Sequence, residues 1–236
     1  MVARQVYALL MGGPTCVFYG AAEFSRDTDL AVLADPENRD RLRGALRELQ
    51  ADCIAVPPFE PDYLHWGHAI DFRCRHPETA GRRVDVMAVM RGVAEFPRLW
   101  QRRVVLADAE GTTYELLALP DLARAKKNQR GKDWPMLKRL VDADYLTNHS
   151  SAVPEQTCFW LQELRTTELL VALASREPEI ANHCRNARPL LSFALKGDAL
   201  GLTGVLDAEE KLERERARIY WMPRRAELER LRHSKI

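Results

Sequence analysis

The sequence predicts an α/β (α+β) chain in which a mixed-sheet domain is followed by a helical domain. Strand patterns alternate with helical ones from residue 5 to residue 119. After residue 119 the strand patterns stop, and apolar residues recur at helical spacing. Of the 236 residues, 46% are hydrophobic and 29% are charged, which suits a packed core with a charged surface. We therefore predict domains over 1–146 and 157–236, joined by a polar segment.

The elements of the first domain follow from its apolar runs and from the turn residues between them. Strands are predicted over 5–11, 28–34, 53–56, 69–75 and 82–90, with a hairpin over 104–119. The strands 69–75 and 82–90 are predicted to pair antiparallel, because only "HPETAG" separates them. Helices are predicted over 14–22, with Pro14 in the first turn, and over 36–50, where leucines share one face. An irregular loop is expected from Pro57.

The second half of the sequence is typical of helices. "PDLARAKKNQ" begins with a Pro-Asp pair that suits a helix start, and "DWPMLKRLVDADYL" follows it. A single strong helical pattern covers 158–176, after the polar segment 147–156. The charge-dense segment from Asp207 is also helical in pattern, and Pro223 is expected to break or kink it.

Composition narrows the class of protein. The net charge of +1 gives no global signal for nucleic-acid binding, so such a contact would need a local patch. The five cysteines are scattered, odd in number and without a Cys-x-x-Cys pair. This pattern argues against a disulfide framework or a zinc site and predicts a reducing, cytoplasmic setting. No apolar stretch is long enough to span a membrane, so no membrane partner is expected.

Asp27 and Asp29 lie one residue apart at the start of the predicted strand "TDLAVLA". Residues i and i+2 of a strand point to the same face, and two carboxylates there repel each other. A divalent cation between them relieves the repulsion, because hard cations prefer carboxylate oxygens. The simpler interpretation of an isolated Asp-x-Asp is a solvated strand entry or turn.

A third aspartate and a glycine pair favour the metal interpretation. Asp85 lies within the apolar strand "VDVMAVM", where an unpaired carboxylate is costly. If its strand runs beside that of Asp27 and Asp29, three carboxylates share one site and can hold two Mg²⁺ ions for phosphoryl chemistry. Gly12-Gly13, between a strand and a helix, allows backbone N–H groups to approach a phosphate.

The segments "LLMGG", "FSRDTDLAVLAD", "RRVDVMAV" and "LPDLARAKKNQRGKDWPML" together resemble the DNA polymerase beta-like nucleotidyltransferase superfamily. Among its members they are most similar to the bacterial abortive-infection and toxin–antitoxin branch. The resemblance covers about residues 5–145 and consists of four elements in order. It implies a nucleotidyltransferase fold with catalytic, metal-binding Asp27, Asp29 and Asp85, which hold Mg²⁺ or Mn²⁺.

The same resemblance implies an activity. A transferase of this family moves an NMP group from an NTP to a hydroxyl on RNA, protein or a small molecule. It is toxin-like in this branch, with tRNA as one option for the acceptor and an antitoxin as an implied partner. The implied nucleotide-binding residues are Gly12, Gly13, Ser25, Arg26, Lys126, Lys127, Arg130 and Lys132.

Alternative interpretations stand beside these hypotheses. The cations at 126–132 are equally explained as a solvated helix face, and Asp133 as the N-cap of the next helix. Asp71 is a further carboxylate, for which exposure on an edge strand is the preferred interpretation. For the whole chain, the alternative is a non-catalytic nucleotidyltransferase-fold module that binds or regulates. A metal phosphohydrolase is disfavoured, because its His-Asp ligand signatures are missing.

Overall fold

The computed structural model describes residues 4–233, and within them the chain is α/β with a seven-stranded mixed sheet. Helices lie between the strands and fill the chain after the last strand, up to a long final helix. The predicted α/β class, with a mixed sheet followed by helices, is therefore confirmed. Residues 1–3 and 234–236, which belong to the ends of the two predicted domains, lie outside the described residues.

The strands of the sheet are short, between three and six residues each. They are β1 Ala8–Met11, β2 Asp27–Val32, β3 Ala51–Cys53, β4 Ile70–Cys74, β5 Arg83–Met87, β6 Val104–Ala107 and β7 Thr113–Leu116. The helices are α1 Gly12–Phe18, α2 Pro36–Glu48, α3 Pro61–His65, α4 Phe96–Arg102, α5 Leu119–Lys126, α6 Asp133–Asn148, α7 Pro154–Glu163, α8 Thr167–Arg176, α9 Pro178–Cys184, α10 Leu191–Leu195 and α11 Ala199–His233.

The strand order is β3-β4-β5-β2-β1-β7-β6. The central pair β2 and β5 is parallel, as is β1 with β7, and the other neighbours are antiparallel. The predicted antiparallel pairing of β4 with β5 is confirmed, and so is the hairpin of β6 and β7. The parallel contact of β2 with β5 brings together two strands that are far apart in the sequence.

Alternation along β4 and β5 gives this part of the sheet one apolar and one more polar face. On β5, Val84 and Val86 are buried, while Arg83 and Asp85, which alternate with them, are half-buried. Leu30 and Val32 of β2 and the buried residues of β4 and β5 share a core with α2 and α3. Since side chains alternate along a strand, the acidic residues of these strands occupy the opposite face.

The chain divides into two compact units. The first contains the sheet and comprises residues up to Phe18, Ala22–Ala125 and from Tyr220; the second comprises Tyr19–Ala21 and Lys126–Ile219. The second unit is helical, and its fully buried side chains include Trp160, Leu137, Leu140 and Leu161. The domains predicted over 1–146 and 157–236 stay a prediction.

Several helices differ from the sequence prediction. Two short ones, α3 and α4, were not predicted; each has a proline in its first turn and buries one leucine, Leu64 or Leu99. The helical pattern over 158–176 forms α7 and α8, because Leu164 takes an extended conformation after α7. Pro223 does not break the last helix, which continues to His233. No helix of residues 4–233 combines the length and apolar character that a membrane crossing needs.

Candidate active site

Three aspartates from adjacent strands form a row on the polar face of the sheet. Asp85 of β5 lies directly opposite Asp29 of β2 on one side and opposite Asp71 of β4 on the other. Directly opposed residues of neighbouring strands point to the same face, and the strands are about 4.8 Å apart. The three carboxylates, which we call the acidic row, therefore share a narrow strip of the sheet.

A second row lies beside the first. Asp27 precedes Asp29 by two residues on β2, so both lie on the same face, and Asp27 is opposite Arg83. Arg83 is in turn opposite Arg73 of β4. The structure thus brings all three predicted metal ligands, Asp27, Asp29 and Asp85, to one face of one sheet. It also places a cation among them.

Arg83 bridges two members of the acidic row. Its Nη2 donates to Oδ1 and Oδ2 of Asp85 at 3.0 and 2.9 Å and lies 3.5 Å from Asp71 Oδ2. Burial works against the charge of the guanidinium, but its hydrogen bond to Asp85 and the nearby carboxylates outweigh burial and raise the pKa of Arg83. Arg83 is therefore the internal counter-charge of the site.

Asp85 has a perturbed carboxyl group. Burial and the charge of Asp71 raise the pKa of Asp85 to about 6, against the opposing effect of Arg83. Its side chain is only 18% exposed, compared with 30% for Asp71. A carboxyl group with this pKa exchanges its proton near neutral pH, which is the property of a general acid or base.

This raised pKa predicts how stability depends on pH. An aspartate in the unfolded chain titrates near pH 3.9, so between about pH 4 and pH 6 the folded state holds a proton that the unfolded state has lost. The folded state therefore loses stability as pH rises through this window. We expect the melting temperature of wild type, relative to Asp85→Asn, to fall between pH 4 and pH 6 in the presence of EDTA.

The matched control for this titration is Asp52→Asn, which changes an exposed aspartate of the sheet edge strand β3. Asp52 pairs with Arg75 and lies outside the acidic row, so this variant measures the pH dependence that follows from losing an aspartate elsewhere on the sheet. The same pH dependence in Asp85→Asn and Asp52→Asn would contradict the assignment of the titration to Asp85.

The predicted glycine pair is in direct contact with Asp29. Gly13 N–H donates to Asp29 Oδ2 at 3.1 Å. Gly12 has a φ of +64°, and a Cβ built there would lie 2.0 Å from Asp29 Oδ2. A Cβ on Gly13 would lie 2.5 Å from Ser25 Oγ. Any side chain at Gly12 or Gly13 would therefore displace the Asp29 carboxylate or the Ser25 hydroxyl.

Ser25 and Arg26 precede β2 and differ in environment. Ser25 is half-buried, and its hydroxyl donates to the Asp27 carbonyl at 2.9 Å, which holds the entry of the strand. Arg26 is exposed. Ser25 therefore has a structural contact next to the site, and the nucleotide-binding role of both residues stays a prediction.

The basic segment lies in the helical unit and is only partly helical. Lys126 ends α5, while Lys127, Arg130 and Lys132 lie in the loop before α6. Lys126 Nζ is 3.5 Å from Asp133 and only 14% of its side chain is exposed, and Lys127 Nζ is 2.6 Å from Glu163 with 24% exposed. The alternative of a solvated helix face is thus wrong for these two lysines.

Asp133 differs from its predicted role. It is the first residue of α6 rather than the N-cap, which is Lys132. Its carboxylate accepts a hydrogen bond from Asn128 Nδ2 at 2.8 Å and also pairs with Lys126. Asp133 therefore holds the loop that leads into α6.

The donor set can be tested against the divalent cation that the sequence implies. Asp27, Asp29 and Asp85 offer oxygen ligands alone, which is the chemistry that Mg²⁺ and Mn²⁺ prefer. Within residues 4–233, however, no three Asp, Glu, His or Cys side chains are already arranged around one metal position. The donors fit the ion in chemical type. To bind it, Asp85 would have to give up its hydrogen bonds with the Arg83 guanidinium.

Two residues of the site were not assigned from the sequence. Asp71 was expected on an exposed edge strand; that expectation is wrong, because β3 covers the outer side of β4. Arg83 was not considered as a site residue. The alternation in "RRVDV" already places Arg83 on the face of Asp85, and this signal could have identified it.

No protein-family model matches the chain, and no curated protein matches it.

Proposed function

We propose that the chain is a metal-dependent nucleotidyltransferase with a polymerase beta-like fold, which moves an NMP group from an NTP to a hydroxyl acceptor. The observation that carries the proposal is the register of β2 and β5. It sets Asp29 opposite Asp85, with Asp27 on the same face. The proposal is also supported by Gly12 and Gly13, which lie directly against the Asp29 carboxylate. The resemblance implies a glycine pair next to the catalytic carboxylates.

Each residue has a role in this proposal. Asp27, Asp29 and Asp85 would hold Mg²⁺ or Mn²⁺, which when bound neutralises and orients a triphosphate. Asp85 would also serve as the base that accepts the proton of the acceptor hydroxyl. Gly13 N–H positions Asp29, and the absence of side chains at the glycine pair leaves room for the Asp29 carboxylate and the Ser25 hydroxyl.

One observation favours the non-catalytic alternative. The Arg83 guanidinium already neutralises part of the acidic row through both oxygens of Asp85. A binding or regulatory module would keep this ion pair and have no need of a divalent cation. The two proposals therefore differ in whether Mg²⁺ changes what the protein does with an NTP.

The experiment that tests the proposal follows the α-phosphate. The purified chain is incubated with each of four α-labelled NTPs, with cellular RNA and protein as acceptors, in Mg²⁺, Mn²⁺ or EDTA. A nucleotidyltransferase releases pyrophosphate and leaves label on an acceptor only with metal. NTP binding without pyrophosphate release in every metal would favour the non-catalytic module. The identity of the nucleotide, the use of tRNA or another acceptor, and the antitoxin partner all stay predictions.

Lys126 is expected to contribute to NTP binding through the charge of its ammonium group. Replacing it by alanine should weaken binding of a non-hydrolysable NTP by about 10- to 100-fold, the range for one charge-assisted hydrogen bond. The measurement is calorimetric titration of the analogue in Mg²⁺. Because Lys126 also pairs with Asp133, the melting temperature of the variant is recorded in parallel.

Lys127→Ala is the matched control. Its partner Glu163 is 8% exposed, so the variant leaves a buried carboxylate without its cation and should lower the melting temperature. Its affinity for the NTP analogue should equal that of wild type. Equal affinity in both variants would remove Lys126 from the nucleotide-binding residues.

A further inference from the structure

Two cysteine sulfurs meet inside the helical unit. Sγ of Cys158 in α7 and Sγ of Cys184 in α9 are 2.7 Å apart, and the two residues are 26 positions apart in the sequence. Both are free thiols, and α7 packs against α9. A covalent S–S bond is about 2.05 Å long, so only a small movement separates this contact from a disulfide.

The two thiols have different environments. Cys158 is partly exposed, and Gln162, one turn further along α7, donates to its sulfur from Nε2 at 3.4 Å. Cys184 is 2% exposed, and burial together with the neighbouring Cys158 raises the pKa of Cys184 to about 12. A small reagent therefore reaches Cys158 first, while Cys184 is buried next to it as a protonated thiol.

We propose that Cys158 and Cys184 form a reversible redox site that is oxidised by a low-molecular-weight disulfide such as oxidised glutathione. The proposal rests on the position of the two thiols and is independent of the proposed transferase activity. The remaining cysteines of the chain are Cys16 and Cys74, which are buried, and Cys53, which is exposed. Cys53 is the competing target of the same reagent.

The reaction proceeds in two exchange steps. Cys158 loses its proton and attacks one sulfur of the small disulfide, whose S–S bond breaks, and the first small thiol leaves with a proton. Cys184 then loses its proton and attacks the Cys158 sulfur, which forms the Cys158–Cys184 bond and releases the second small thiol. In sum, two protein thiols are oxidised by two electrons and one small disulfide is reduced to two thiols.

Oxidation would alter the helical unit. A bond between α7 and α9 closes a loop of the chain and restricts the unfolded state, which stabilises the folded one. For a chain of this length the melting temperature should rise by about 5–10 °C, and reduction should reverse the rise. The site would thus couple the thiol redox state to the rigidity of the helical unit.

The test uses the full chain, treated with oxidised glutathione or with dithiothreitol and then alkylated. Non-reducing peptide mapping should find one cross-linked pair of peptides, containing Cys158 and Cys184, that separates on reduction. Cys53→Ser, which removes the exposed competitor, should give the same cross-link and the same rise in melting temperature. Glutathione on Cys53 with no Cys158–Cys184 cross-link, or alkylation of Cys158 after full oxidation, would overturn the proposal.

Single variants identify the attacking sulfur. In Cys184→Ser the mixed disulfide should accumulate on Cys158, because no second thiol resolves it. In Cys158→Ser the buried Cys184 should stay unmodified in the folded chain. If one of these variants fails to fold, the wild-type and Cys53→Ser maps still decide whether the cross-link forms.

Discussion

Asp29→Asn is expected to abolish Mg²⁺-dependent nucleotidyl transfer while the fold stays intact. The substitution removes one charge from the acidic row but keeps an oxygen that accepts the Gly13 N–H, so the glycine pair keeps its contact. Loss of a carboxylate ligand should lower the rate by about a thousandfold or more, because the charge stabilisation that such a site supplies is several kcal/mol. The measurement is release of pyrophosphate and transfer of the labelled α-phosphate.

Stability separates a catalytic carboxylate from a structural one. Because Asp29 adds to the repulsion that Asp85 experiences, its neutralisation should leave the melting temperature in EDTA equal to or above that of wild type. Asp52→Asn, on the exposed edge of the sheet, controls for the loss of a charge and should keep full activity. A variant that melts far below wild type in EDTA would make Asp29 structural and the catalytic assignment wrong.

The sequence predicts which site residues share a face of the sheet, because side chains alternate between the two faces along a strand. Asp27 and Asp29 lie on one face because they are two residues apart in a strand, and Asp85 lies between buried valines for the same reason. The antiparallel neighbours β4 and β5 were also predictable, since a short turn joins them. Asp29 lies opposite Asp85 because β2 and β5 pair in parallel. A local sequence pattern does not determine the register of two strands so far apart in the chain.

What the sequence left undetermined depends on long-range pairing. Asp71 lies opposite Asp85 through the register of β4 and β5. Whether β4 is an edge strand depends on the three-residue strand β3, and so short a strand has a weak pattern. The helices α3 and α4 are too short to be stable alone, and packing of Leu64 and Leu99 holds them. The ion pair of Lys127 with Glu163 likewise joins segments that no local pattern connects.

Arg188 is the second residue at which a single change should have a large effect. Its guanidinium is 5% exposed and donates from Nε and Nη2 to the two carboxylate oxygens of Glu209 at 2.9 and 2.8 Å. Its Nη1 donates to the carbonyls of Leu161 and Leu164 at 3.0 and 2.9 Å. These carbonyls belong to the end of α7, where helix geometry leaves them without a partner inside the helix.

Glu209 joins Arg188 to a second cation. Arg165 Nη1 donates to Glu209 Oε2 at 2.8 Å, and Arg165 Nη2 donates to the Leu206 carbonyl at 2.7 Å. Burial opposes the charge of Glu209, but the hydrogen bonds and charges of the two arginines outweigh burial and lower its pKa. The carboxylate is therefore charged in the folded state and depends on both arginines.

Arg188→Met should lower the free energy of unfolding of the helical unit by about 3–5 kcal/mol, the range for removing one partner of a buried ion pair. Methionine fills the space, but it leaves the Leu161 and Leu164 carbonyls unpaired and Glu209 with Arg165 alone. Urea unfolding, with hydrogen exchange of α7 amides as the local measure, quantifies the loss. Arg218→Met, which removes an exposed pair with Glu215, should leave both measures unchanged. Equal effects of the two variants would show that Arg188 does not hold the end of α7. If Arg188→Lys recovers part of the lost stability, the part that it does not recover belongs to the planar guanidinium.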